Sequence, residues 1–416
     1  MTQEETLSRR KLLGAAAAGA AGITVLGSWA PKAFSGSNGV GERLVPPGKL
    51  SVQQFSIRDA ITRLNGSVMG RLGGPTFPDD PNDLGPLEPL PGGFAAVFEY
   101  LASVGYRGIE FFSFNQGANG AITIPQIRTA LDNAGLTSTG THTGGLATMV
   151  DPAGRQAQID IAHTLGHTMI GTAGDPVGGN AANLLANWQV AAQQYNTVGA
   201  ALAAAGMRYY LHPEQNNFNF FNDPAHPELS TVHRLDWFTE NTDPSVVWFE
   251  PDIFHAYSGR ARFPGPNPPA TLFDLPGWFF RNERRILAWH VKDGTRIVPQ
   301  PAPPANPFTQ TIQRTPTFVD ALYSLEGSIG QGYPVDPDPA VIGFKRLFDG
   351  MGQKGSRFYI IESDSGPGPA TDPGRSLRHA KISLQNLVGL RGGSKGHPHS
   401  SVSEEAPLES QFELAE

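Results

Sequence analysis

Four short hydrophobic runs in this chain each end in a carboxylate or an imidazole: Tyr209-Tyr210-Leu211-His212-Pro213-Glu214, Val247-Trp248-Phe249-Glu250-Pro251-Asp252, Leu287-Ala288-Trp289-His290 and Tyr359-Ile360-Ile361-Glu362. Buried charge is costly, so runs rich in Val, Ile, Phe and Trp seldom end in ionisable groups unless those groups are paired or bound to a cation. Four in succession predict a metal site at the C-terminal mouth of a β/α barrel. The wider pattern agrees. Hydrophobic runs predict eight strands, at 50–57, 106–112, 137–142, 168–171, 207–212, 246–252, 285–291 and 357–362. Helix-like stretches alternate with them at 94–104, 124–133, 155–165, 181–205, 229–239, 272–282, 340–352 and 374–390. Such alternation implies a parallel sheet covered by helices, and eight repeats close into an α/β (β/α)8 TIM barrel. Gly135, Gly206 and Gly355 stand where a helix would stop before the next strand.

Three Pro/Gly-rich insertions, 65–91, 215–228 and 298–337, each follow a predicted strand. In a barrel that position is the catalytic rim, where long loops shape a pocket. The segment 391–416, rich in Gly, Ser, Pro and Glu, is predicted to be a disordered tail. With 416 residues and 39% hydrophobic content, one barrel with insertions over 50–390 accounts for most of the chain.

Composition narrows the chemistry. The formal net charge is -7 and no basic cluster stands beyond the extreme N-terminus, so nucleic acid is excluded as a partner. The chain has no cysteine, which removes disulfides, thiolate ligands and Cys nucleophiles and leaves oxygen and nitrogen to hold any metal. Ser8-Arg9-Arg10-Lys11-Leu12-Leu13 precedes a Gly/Ala-diluted apolar stretch, the pattern of a twin-arginine signal peptide over 1–35 with a linker over 36–49. A membrane anchor would want about 20 strongly apolar residues. The predicted fate is export by the twin-arginine translocation machinery, which carries proteins already folded and lets one load a weakly held ion such as Mn²⁺ beforehand.

Several motifs together resemble a known family. Tyr210-Leu211-His212-Pro213-Glu214, Glu250-Pro251-Asp252-Ile253-Phe254-His255, His290-Val291-Lys292-Asp293-Gly294 and Ile361-Glu362-Ser363-Asp364 are similar, in order, to the motifs of the sugar phosphate isomerase/epimerase group, the xylose isomerase-like TIM barrels. Gln53-Gln54-Phe55-Ser56-Ile57-Arg58-Asp59 and Gly108-Ile109-Glu110-Phe111 extend the likeness, which spans roughly 50–390. The resemblance implies a divalent cation held by one residue from each of four successive strands. Asp252, His290 and Glu362 match three ligand positions; at the fourth, many relatives have Glu where this chain has His212, with Glu214 two residues on. His212 is taken as the ligand and Glu214 as a neighbouring acid/base or second ligand, since side chains two apart on a strand face the same way. Such a set suits Mn²⁺, Co²⁺, Zn²⁺ or Fe²⁺.

A cation on adjacent hydroxyl and carbonyl oxygens of a sugar acidifies the neighbouring C–H and stabilises an enediolate. Glu362 or Glu214 is expected to move the proton, with Lys292 binding an oxyanion or pairing with Asp293. His255, His142, Glu110 and Arg58 are candidate substrate-binding residues, although Glu110 and His142 could equally partner each other or Arg58. Three functions remain open: a carbohydrate isomerase or epimerase, a lyase or dehydratase acting on a keto-sugar or keto-glycoside by β-elimination, and a non-catalytic carbohydrate-binding barrel. Outside the cytoplasm, where sugar phosphates are scarce, a neutral, oxidised or acidic sugar is expected. Barrel endonucleases acting on abasic DNA are disfavoured by the acidic charge. Phe218 to Phe221 is a candidate homo-oligomer interface, Trp289 is expected to pack rather than stack on substrate, and His163-Thr164-Leu165-Gly166-His167 is read as structural.

Overall fold

A computed structural model of the protein describes residues 43–73, 85–142, 145–263, 273–294, 326–327, 347–348, 350–351, 357–364 and 366–389, all in the unit Gly39–Glu416. The signal peptide 1–35, the linker up to residue 42, Gly355, nearly all of 298–337 and 340–352, and the tail 391–416 lie outside the described residues.

All eight predicted strands form: β1 (Leu50–Gln53), β2 (Gly108–Phe111), β3 (Thr137–His142), β4 (Met169–Ala173), β5 (Arg208–His212), β6 (Val247–Phe249), β7 (Ala288–Val291) and β8 (Phe358–Ile361). They make one parallel sheet in the order β6-β5-β4-β3-β2-β1-β8-β7. Parallel bridges Phe249↔Ile286 and Asp252↔His290 join its two edges, with the Leu287 amide donating to Phe249 O (2.9 Å) and the His290 amide to Pro251 O (3.0 Å). The result is a nearly closed (β/α)8 barrel.

The side-chain period of two sorts each strand. Outward residues such as Leu50, Val52, Ile109, Phe111, Leu211, Phe249 and Trp289 enter the large core between sheet and helices. Trp289 packs edge-on against Phe279, ring centroids 5.0 Å apart, as its alternation away from His290 predicts. Met169, Tyr210, Leu287, Ala288 and Ile360, with Trp248 and Phe358 against them, form a small separate apolar cluster. Tyr210, Ala288 and Ile360 stand two residues before His212, His290 and Glu362, so each strand passes from apolar to ionisable on its inner face.

Helices cover the outside at Gly93–Val104, Ile124–Ala134, Pro152–Leu165, Leu185–Ala204, Arg234–Glu240, Leu275–Arg281 and Arg375–Gly389. Ile124–Ala134 shows why the boundaries are legible: Thr123 and Gln126 form a capping box, and Gly135 closes the helix at φ 67. Two expectations are corrected where strands meet loops. β1 ends at Gln53, whose side chain accepts from the Phe55 amide and turns the chain into a 3-10 turn (Gln54–Ile57) and a short helix (Arg58–Thr62). Insertion 65–91 therefore follows a helix rather than a strand, and it carries the antiparallel pair Met69–Arg71 with Leu87–Pro89. β6 stops at Phe249 before Pro251, and an unpredicted helix, Ile253–Arg262, begins at once with Asp252 as its cap.

Within the segment Phe218 to Phe221, two aromatic side chains face inward and Phe220 is half-buried. Phe218 and Phe221 are buried, packed on Phe273 at 5.1 Å and on Trp188 and Trp237 at 6.0 Å, and thus belong to this chain's own core. His163 and His167 share no site: His163 is exposed, whereas His167 is buried with Nδ1 2.7 Å from Ser138 Oγ.

Burial pulls the pKa of His167 down from 6.5 to about 4. The unfolded chain then binds a proton that the folded one does not, so this residue's contribution is present above pH 6.5 and is lost as pH falls toward 4, by roughly 2 kcal/mol at pH 5. His167→Gln lacks this loss, and its stability deficit against the wild type is expected to narrow by about that amount between pH 7 and pH 5 in paired denaturant titrations.

Candidate metal centre

Above the apolar plug lies a layer of buried ionisable groups. Glu110 on β2 is fully buried; its Oε1 accepts from the Tyr210 hydroxyl (2.6 Å), and its Oε2 accepts from Gln53 Nε2 (2.7 Å) and His290 Nε2 (2.7 Å). Gly171 on β4 makes room for this, since a Cβ there would lie 2.1 Å from the Tyr210 ring. Glu250 Oε2 lies 2.8 Å from His142 Nε2 and 3.1 Å from His290 Nε2. Burial would raise the Glu110 carboxyl, but His142 and His290 outweigh it and hold its pKa at about 2. Burial would lower both histidines, yet the two carboxylates raise His142, and Glu250, Glu362 and Glu110 raise His290 well above the usual imidazole range.

The next level up carries the expected ligand set. Donor atoms of His212, Asp252, His290 and Glu362 lie within 4.8 Å of one another, and all four residues are buried. A second set, His142, His212, Glu250 and His290, meets the same limit one level down. The two sets share two rings, each presenting one nitrogen to each level. His212 Nδ1 is 3.6 Å from Glu250 and its Nε2 3.9 Å from Asp252; His290 Nε2 faces Glu110, and its Nδ1 is 2.9 Å from Glu362.

These residues fit a divalent cation. Burial, with His290 and His142 nearby, drives the His212 pKa well below 6.5, leaving the neutral ring a metal needs, with Nε2 the nitrogen turned toward Asp252 and the upper set. The upper set fits better than the lower, because Glu110 already takes the rear nitrogen of His290, and Nδ1 would serve the ion on giving up the proton that the ion-free site holds there, in the usual carboxylate–histidine–metal order. Two carboxylates and two imidazoles suit Mn²⁺, Fe²⁺, Co²⁺ or Zn²⁺.

A third level forms the rim. Lys292, 1% exposed, sets Nζ 2.7 Å from Asp252, 3.1 Å from Glu362 and 2.9 Å from Asp364. Along the backbone, Asp293–Gly294 forms a short antiparallel pair with Glu326–Gly327. His255 gives its amide to Asp252 Oδ1 (2.8 Å) and sets Nε2 3.2 Å from Asp364; burial and Lys292 lower its pKa, but Asp252 and Asp364 bring it to about 9. Glu362 is lifted by burial, then brought to about 2 by Lys292 and His290. Half-buried Glu214, just past β5, goes the other way: burial, with Asp364 and Glu362, raises it against His255 and Lys292.

Glu110 and His142 meet each other at 3.4 Å, deep in the barrel, rather than meeting Arg58. The Arg58 guanidinium stacks 3.6 Å from the Phe55 ring centroid and donates to Phe55 O and Asp364 O (3.0 Å), beside an open cleft of about 330 Å³. Two residues of the cluster escaped the sequence reading as site residues, Glu250 and Asp364. Their signal was the spacing already applied to His212 and Glu214: Glu250 stands two before Asp252, and Asp364 two after Glu362.

Residues 98–382 match the xylose isomerase-like TIM barrel family. The chain belongs to that family. Among solved structures it is similar to a sugar phosphate isomerase/epimerase from Parabacteroides distasonis ATCC 8503, with TM-score 0.52 and 16% identity over 83% of this chain and 96% of that one. A second structure of that description from the same organism gives TM-score 0.50 and 15% identity over 80% and 95%. At these identities the likeness speaks for the barrel alone. No curated protein matches the chain.

Gly171→Ala in this family barrel should push Tyr210 off Glu110 and cost about 1–3 kcal/mol. Gly178→Ala, where nothing lies within 4 Å of the added Cβ, should stay within about 0.5 kcal/mol of the wild type in the same unfolding titration.

Proposed function

We propose that this barrel is a metal-dependent isomerase or epimerase of a carbohydrate, moving a proton beside a carbonyl through an enediolate. The observation that carries the reading is the convergence of His212, Asp252, His290 and Glu362, from the ends of β5 to β8, beneath a rim holding Glu214, His255 and Lys292. A divalent cation held by those four residues would supply Lewis acidity to a sugar's adjacent hydroxyl and carbonyl oxygens. Glu214 is the proton carrier of this reading. Glu362 is tied down as a carboxylate by Lys292 and His290, whereas burial brings Glu214 nearer the working range of a general base.

Glu214 takes the proton from the carbon beside the carbonyl; in isomerisation it returns the proton to the former carbonyl carbon while the hydroxyl proton passes to the former carbonyl oxygen, and in epimerisation a second acid protonates the opposite face. The Lys292 ammonium and the charged His255 ring donate to the oxygen on which negative charge develops. Arg58, on its cleft, is suited to a distal hydroxyl or carboxylate of the sugar. Export by the twin-arginine route is part of this proposal, supported by Ser8-Arg9-Arg10-Lys11-Leu12-Leu13, and makes a non-phosphorylated sugar the expected substrate.

Proton exchange tests the reading. Neutral and acidic ketoses and aldoses incubated in ²H₂O with the Mn²⁺-loaded protein should gain one carbon-bound deuteron without change in composition, and Glu214→Gln should slow this by about 10²–10⁴-fold while still binding Mn²⁺. An unsaturated, ultraviolet-absorbing product would replace the isomerase reading with elimination, and sugar binding without any exchange would leave a binding barrel.

A further inference from the structure

Lys292 holds the position that a cation in the upper set requires. Its ammonium is buried and touches two of the four proposed ligands, Asp252 at 2.7 Å and Glu362 at 3.1 Å. Like charges cannot share that space, because two cations a few ångströms apart in a water-poor site repel strongly. The third partner of Nζ, Asp364 at 2.9 Å, stands two residues beyond Glu362, lies outside the ligand set and is the more exposed, its side chain 18% accessible. Asp364 is itself anchored: its carboxylate meets His255 Nε2 at 3.2 Å, and its backbone carbonyl accepts from Arg58.

We propose that Lys292 is a built-in competitor for the metal position and that Asp364 is the positioning residue that receives its ammonium when the ion enters. The inference rests on the metal reading above and adds to it a displacement. In the ion-free protein Lys292 neutralises Asp252 and Glu362, which lets two buried carboxylates stay ionised side by side. When the ion arrives, Lys292 gives up those two contacts and keeps Asp364, which leaves its ammonium above the site, turned toward the substrate space shared with His255. Ion entry and delivery of the substrate-facing cation are thereby one event. The same exchange weakens ion binding, since each ion must displace a lysine, and it gives Asp364 a role that it exerts only through Lys292.

Calorimetric titration of the full chain with Mn²⁺ alone separates the possibilities. Lys292→Gln should bind Mn²⁺ about tenfold more tightly than the wild type, because the competitor is gone. Asp364→Asn should bind about tenfold more weakly, because the displaced ammonium loses its seat. In the Lys292→Gln background the Asp364→Asn change should shrink to under about threefold, the signature of a residue acting through the lysine. Equal or weaker binding by Lys292→Gln, or the same loss from Asp364→Asn in both backgrounds, overturns the displacement and leaves the metal site standing. Failure of the wild type to bind Mn²⁺ overturns both. Should Lys292→Gln not fold, a crystal structure of the Mn²⁺-loaded wild type decides: Nζ on Asp364 and clear of Asp252 and Glu362 is expected, and Nζ still on Asp252 beside the ion refutes it.

Discussion

Among the described residues six carboxylates, Glu110, Glu214, Glu250, Asp252, Glu362 and Asp364, are gathered at the mouth of this barrel, four of them less than a tenth exposed. Charge can stay at such a place only if cations or donors stand against it. Much of the site's construction follows from that requirement. Glu110 is met by Tyr210, Gln53 and His290, Glu250 by His142 and His290, and the rim acids by Lys292 and His255. Gly171 surrenders its side chain so that the Tyr210 hydroxyl can reach Glu110. His212 is the exception, kept neutral among charged neighbours and therefore ready to act as a ligand.

The barrel supplies the geometry that brings these charges together. Parallel strands with a period of two deliver residues i and i+2 to successive levels on the same inner face, so one strand contributes both a lower and an upper group. β7 carries His290 and the residue just past its end is Lys292; the chain beyond β6 carries Glu250 and then Asp252; beyond β8 come Glu362 and then Asp364. The turn after β6 serves two ends, since Asp252 caps the helix Ile253–Arg262 through the His255 amide and also faces the upper ligand set. A helix start thus holds a proposed ligand and a rim histidine in fixed relation.

Most of this fold was legible in the sequence, because parallel strands buried on both sides read as apolar runs and helix ends carry caps such as Thr123 and Gly135. The misses have local causes. The run 50–57 contains a turn that only Gln53's bond to the Phe55 amide reveals, and the helix Ile253–Arg262 follows its strand too closely to be told from a loop by pattern. In the site, strand-end position was enough to bring His212, Asp252, His290 and Glu362 onto one shortlist. Glu250 and Asp364 were passed over because each stood beside a group with a stronger motif, and Phe218 and Phe221 looked available because aromatic content does not say which side of a loop faces the core.

A cation at the ends of β5 to β8 is what the proposed chemistry of this barrel depends on. Elemental analysis of the purified folded protein, beside Asp252→Ala and His290→Ala, tests this most directly. Near-stoichiometric Mn, Fe, Co or Zn in the wild type, lost in both variants, is the predicted result. A wild type that carries no metal, and stays empty when offered Mn²⁺, Co²⁺ or Zn²⁺, would contradict it and make the buried carboxylates a purely structural ion network.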